Sequence, residues 1–182
     1  MMGKFLVVLI LSSAVLGGAA MYYFQVYAYY EPVQISDVPA MQGTTRIQLT
    51  LLASAAPEPI PVADFQGIDA TSSPLRFRGC FRTRMSIAML TETYVTYQDP
   101  VPLTAPRWFA CFDAKAIGAD LEDGQAFAFL SQANITYGID RVVAIYDDGR
   151  AYAWHQINQC GDVVFAGKPA PAGCPPPPDR SN

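Results

Sequence analysis

The chain has 182 residues, 51% of them hydrophobic and 15% charged, with a formal net charge of −4. That length suits one modest domain with a limited core plus an appended segment. All 16 acidic residues and all but one of the 12 basic ones lie beyond Tyr30, and an acidic domain gains nothing from counterion release, so no nucleic-acid partner is expected.

Lys4 opens an uncharged run that ends only at Glu31. At about 1.5 Å per helical residue, the run exceeds the roughly 30 Å hydrocarbon core of a bilayer. It predicts a transmembrane signal-anchor helix over residues 1–30. Ser13, Gly17, Gly18 and Ala20 give it a thin face where a neighbouring helix can approach. Tyr22, Tyr23, Phe24, Tyr27, Tyr29 and Tyr30 crowd its far end, as suits rings at headgroup level. A cleaved signal peptide is the rival, with small residues at Gly18 and Ala20; the uncharged run past Ala20 argues for retention. Lys4 on one flank against Glu31 and Asp37 on the other places the amino terminus in the cytoplasm and the domain outside.

Residues 31–43, broken by Pro32, Pro39 and Gly43, are expected to be a linker to a domain over residues 44–168. Ile47, Leu49 and Leu51 alternate as in a half-buried strand, and a second short strand is expected over residues 61–68. Between 75 and 85, Arg76, Arg78, Arg82 and Arg84 share even positions with Cys80, while Leu75, Phe77 and Phe81 take odd ones. An extended strand would put four guanidinium groups on one face. They are either a solvated face paired with acids or an anion clamp, because arginine forks suit carboxylates and phosphates.

Residues 87–97 are ambiguous between helix and strand. Residues 113–133 predict helix, in one or two pieces broken near Gly118, with Asp120 capping the second. Residues 139–156 predict a hairpin around Asp147-Asp148-Gly149. Strand character runs on from Gly161 to Phe165. Residues 169–182 form a proline-rich tail expected to be extended and exposed.

The cysteines, Cys80, Cys111, Cys160 and Cys174, all lie on the predicted outer side, and an even number there favours two disulfides. Three connectivities exist. Cys80–Cys111 with Cys160–Cys174 is preferred, because the second pair would tie down a tail with little else to hold it. The chain's single histidine, His155, is the sole classical base. No nucleophile elbow, phosphate loop or dinucleotide glycine pattern accompanies it. His155, Cys160, Asp162 and Cys174 match no strong zinc spacing, so neither metal nor cofactor is expected.

The run Trp108-Phe-Ala-Cys-Phe-Asp113, the stretch 117–130, and residues 137–143 through Arg150-Ala-Tyr-Ala-Trp-His155 resemble an uncharacterised family of single-pass, membrane-anchored proteins from marine and photosynthetic (Rhodobacter-like) alphaproteobacteria. The resemblance implies a bacterial inner-membrane protein with a periplasmic domain, and brings no activity or catalytic residue. The expected architecture is α+β: a transmembrane helix, then one small domain with a mainly antiparallel sheet and one or two helices. The expected function is that of an accessory or assembly protein, with the lipid bilayer and a membrane or periplasmic protein as partners. The alternatives are a small-anion or ligand-binding sensor using the four arginines and a hydrolase-like enzyme using His155.

Overall fold

The computed structural model describes residues 2–35, 44–45 and 47–178. Helix α1 (Met2–Tyr23) continues through a π-helical turn, Phe24–Ala28. The combined helix Gly3–Ala28 contains an 18-residue stretch with a mean hydropathy of 2.2, none of which is buried among the described residues, and it is long and apolar enough to cross a membrane once. Its aliphatic side chains point outward all round: Val7, Leu9, Leu11, Val15 and Leu16 are each more than half exposed. Such a helix needs a nonaqueous surrounding.

Past Tyr29 and Tyr30 the chain enters a sheet directly. Strand β1 (Glu31–Ile35) pairs antiparallel with β5 (Ala63–Asp69) and parallel with β2 (Thr44–Thr45). The first residues of the expected linker are thus sheet; the rest of it, residues 36–43, lies outside the described residues. Strands β5, β6 (Arg78–Arg82), β7 (Ala126–Thr136), β8 (Ile139–Tyr146) and β9 (Arg150–Ile157) complete a seven-stranded order β2-β1-β5-β6-β9-β8-β7, antiparallel beyond the first pair. A short ladder of β3 (Gln48–Thr50) with β4 (Pro57–Pro59) packs beside β7, where Thr50 donates to the Ser131 carbonyl at 3.0 Å.

The sheet is buried on both faces, which explains the unbroken apolar run from Val142 to Tyr146 in β8. Phe77, Phe81, Val143, Ile145 and Ala153 face one core with Leu49, Ile60, Leu90 and Tyr94. Cys80, Val142, Ala144 and Trp154 face the other with Phe109, Phe112 and Ile117. Burying each large side chain contributes about 1.5–3 kcal/mol, so the two cores are the main source of stability.

The expected hairpin is present, turning at Asp147-Asp148-Gly149 with Gly149 at φ 82°. Among the described residues three short helices accompany the sheet: α2 (Ile87–Thr93), α3 (Ala114–Glu122) and α4 (Gln159–Phe165). Two expectations are corrected. The predicted helix over 113–133 ends at Glu122, where Gly124 adopts φ 71° and the Gly124 and Gln125 amides close back onto the Leu121 and Asp120 carbonyls. From Ala126 the chain is strand, paired with β8 from Ala126 opposite Tyr146 onward, with Ala128 filling one core and Phe129 the other. Asp120 does not cap; it accepts the Tyr146 hydroxyl at 2.7 Å. Residues 161–165 are helix rather than strand, started by the Asn158 side chain accepting the Gly161 amide.

Two glycines have opposite requirements. A Cβ on Gly161 would strike the Gly138 carbonyl, whereas one on Gly118, inside α3, would meet only Pro102 at 4.0 Å. Gly161→Ala should therefore lower the unfolding free energy by about 1–3 kcal/mol. Gly118→Ala should raise it by about 0.5–1 kcal/mol. Urea unfolding of the two variants reads both signs.

Candidate functional site

The four arginines of the β6 region do not converge. Arg78 is 4% exposed and lies in the second core. Its guanidinium donates to the carbonyls of Leu103 (2.7 Å), Leu75 (2.8 Å), Phe77 (2.6 Å) and Thr104 (3.3 Å) and lies over the Phe112 ring. Burial lowers its pKa to about 10, with Tyr30 and Asp69 opposing, so it stays charged at neutral pH. Arg76 lies over the Tyr30 ring, 5.4 Å from its centroid. Only Arg82 and Arg84 share a site. The physical reason is that the even-numbered face of β6, expected to meet solvent, is covered by residues 97–121.

That shared site is a groove of about 750 Å³ at one end of the sheet, lined by residues 61–64, residues 82–86 and the 147–149 turn. Arg82 donates to the Asp148 carbonyl at 2.8 Å. Asp148 is taken by Arg150, through the Nε at 2.6 Å and the backbone amide at 2.9 Å, and these bonds hold its carboxyl below the usual range. Asp64, at φ 54°, and Asp147 add exposed carboxylates. Arg84 is exposed with no bonded partner among the described residues. The groove is therefore bipolar, with one uncommitted guanidinium.

His155 is 4% exposed, not in a cleft. Its Nδ1 is 2.6 Å from the Pro74 carbonyl and its Nε2 is 3.0 Å from the Arg141 Nε, which donates. A carbonyl only accepts and a guanidinium only donates, so the ring is neutral with its proton on Nδ1. It stacks on Phe77 at 4.7 Å, and Arg141 covers the same Phe77 ring at 4.4 Å. Burial, then the charge of Arg141, lowers the histidine pKa to about 3. Both ring nitrogens are occupied, and among the described residues no carboxylate or thiol bonds to either. The arrangement suits packing, with no nitrogen left for proton transfer to a substrate.

Cys80 is joined to Cys111 and Cys160 to Cys174. The first bond fastens the covering segment to β6; the second holds the tail, where the Tyr137 hydroxyl also donates to the Pro175 carbonyl at 3.1 Å. Cys160 and Cys174 are thus unavailable as thiolate ligands, and among the described residues no group of three or more His, Cys, Asp or Glu gathers to hold a metal. On α1, a Cβ added to Gly17 or Gly18 would meet nothing within 4 Å, and the Ser13 hydroxyl returns to the Ile10 carbonyl at 2.9 Å. The Ser13, Gly17, Gly18 and Ala20 face is open.

The stapled, two-core sheet is the part of the chain that a family shares. The chain belongs to the family of unknown function DUF6446. The DUF6446 match covers residues 47–175, which takes in both disulfides, the groove and His155, and leaves out α1, β1 and β2. No curated protein and no solved structure matches the chain.

Two polar assemblies lie outside the sequence expectations. Asp140 accepts the Asn134 amide (2.9 Å), the Asn158 side chain (2.7 Å) and the Tyr97 hydroxyl (3.2 Å), joining the β7–β8 turn to the start of α4. Gln156 accepts the Val101 amide at 2.7 Å and donates to the Asp99 carbonyl at 2.9 Å, pinning the covering segment. The one signal for the first was polar residues spaced across a turn and a helix start; nothing local pointed to the second.

His155 sets a pH dependence. Its folded pKa of about 3 lies below the ordinary 6.5, so the unfolded chain binds the proton first. The associated stability is complete above about pH 6.5 and is lost as pH falls toward about 3. His155→Gln should flatten the fall of the unfolding midpoint across that window, as read by thermal melts at stepped pH.

Proposed function

We propose that this DUF6446 protein is a single-pass inner-membrane protein with its domain in the periplasm, acting as an accessory or assembly factor that binds a membrane or periplasmic protein. The observation that carries the proposal is the exposed small-residue face of α1, on which nothing among the described residues packs. Glycine and alanine at such positions let helix backbones approach closely in lipid. Two disulfides suit an oxidising compartment, and the occupied nitrogens of His155 favour binding over catalysis.

Gly17→Leu fills that face. Photocrosslinkers placed at Ser13 and Ala20 in native membranes should trap one discrete partner, and Gly17→Leu should abolish the adduct while leaving membrane insertion unchanged. Recovery of only uncrosslinked monomer from both positions defeats the proposal. A reporter fusion after Pro178, active only when exported, checks the orientation.

A second function is favoured by Arg84: a small-anion or carboxylate ligand held between Arg82 and Arg84 in the groove. Calorimetric titration with a dicarboxylate should show binding that Arg84→Ala weakens by about tenfold, equivalent to about 1.4 kcal/mol. Binding that ignores Arg84→Ala sinks this reading.

A further inference from the structure

The contact between the helix end and the domain has a consequence for the lipid surface. Trp108 is 40% exposed, and its indole Nε1 donates to the Val26 carbonyl at 2.7 Å. The ring stacks on Tyr27 at 6.3 Å and meets Tyr30 edge-on at 5.9 Å. Val26 lies in the π-helical turn, whose last carbonyls have no partner further along the helix. The indole supplies one.

Depth then follows from length. With Lys4 at one headgroup layer, about 20 residues fill the hydrocarbon core, which brings its far boundary near Phe24. Gln25 is the first amide side chain of the run, and Val26 lies about 3 Å beyond that boundary at 1.5 Å per residue. A side chain bonded to Val26 is held in the interface itself. Trp108 therefore belongs at headgroup level with the tyrosines, although it is distant in sequence. Its neighbour Arg107 is exposed and has no bonded partner among the described residues, a cation placed at the height of the lipid phosphates.

We infer that the loop containing Arg107 and Trp108 is a second membrane contact: the indole seats in the headgroup layer beside the helix end and the Arg107 guanidinium meets lipid phosphodiester oxygens, so the domain rests on the bilayer. This contact is separate from partner binding and rests on α1 being a retained anchor, the first part of the proposed function.

The chain has only two tryptophans, and Trp154 is fully buried in the second core, so Trp108 can be read by difference. Full-length protein is reconstituted into phosphatidylcholine–phosphatidylglycerol vesicles, with lipid brominated either near the glycerol backbone or near the chain ends. Flotation first scores the anchor independently: protein that fails to float overturns the anchor, and protein that floats tests the loop. The emission lost in Trp108→Phe relative to wild type should be quenched most by the shallow bromines and little by aqueous iodide. Trp154→Phe should keep the same quenching, and Arg107→Glu should reduce it. Floating protein whose Trp108 emission is quenched by iodide and spared by bromolipid overturns the inference, as does quenching strongest for the deep bromines. Intact disulfides on non-reducing mass spectrometry certify that each variant is folded.

Discussion

The fold depends on closing the second face of the sheet with a cover that is mostly not secondary structure. Strands β6, β8 and β9 carry apolar side chains on both sides, and a sheet with two dry faces needs two layers over it. One face is closed by the β3–β4 ladder and α2. The other is closed by residues 97–121, of which only α3 is regular. Irregular backbone close to a core leaves amides and carbonyls that must find partners, and the sheet supplies them: Arg78 donates to four carbonyls, two of them in the cover, Gln156 holds Asp99 and Val101, and Cys80 bonds Cys111. Each of these reaches out from β6 or β9. The charged and polar residues inside this core are fasteners for a loop.

That requirement also accounts for what became of the residues with chemical promise. A guanidinium can satisfy several carbonyls at once, so Arg78 is absorbed by the cover, and Arg141 is likewise held against Phe77 and His155. His155 is held between a carbonyl and a cation and stays neutral. The carboxyl of Asp69 is raised by its own burial, with the Ala70 amide and then Arg141 and Arg78 pulling the other way. The buried titratable groups compensate one another. Charge without a bonded partner lies instead on exposed side chains, Arg84 at the end of the sheet and Arg107 in the loop beside the helix end among them.

The legible parts of the sequence are those whose signal is local. The apolar run preceding Glu31, the Asp-Asp-Gly turn and the alternation at Ile47 and Leu49 each announce their own element. The stretch after Gly124 reads wrongly as helix because Ala, Phe and Leu fill a helix face and a doubly buried strand equally well; the left-handed glycine and the neighbouring strand decide between them. The arginine alternation on β6 is visible, but its burial is not, since the cover comes from residues 97–121 and no local pattern reveals a loop that folds back. Glu31–Ile35 looks like a linker because a proline and a charge suit a tether; the strand accepts Pro32 where β5 alone pairs with it, since the β2 pairing begins only at Gln34.

Only Tyr29 and Tyr30 separate the π-turn from β1, and Trp108 clamps the junction from the side. Helix and sheet are therefore geared. Adding a single residue at the junction would turn α1 by about 100° about its own axis relative to the strands. The azimuth of the Gly17 face about the helix axis and the direction in which the Arg84 groove opens are accordingly one variable. A neighbour that rolls the helix also swings the groove.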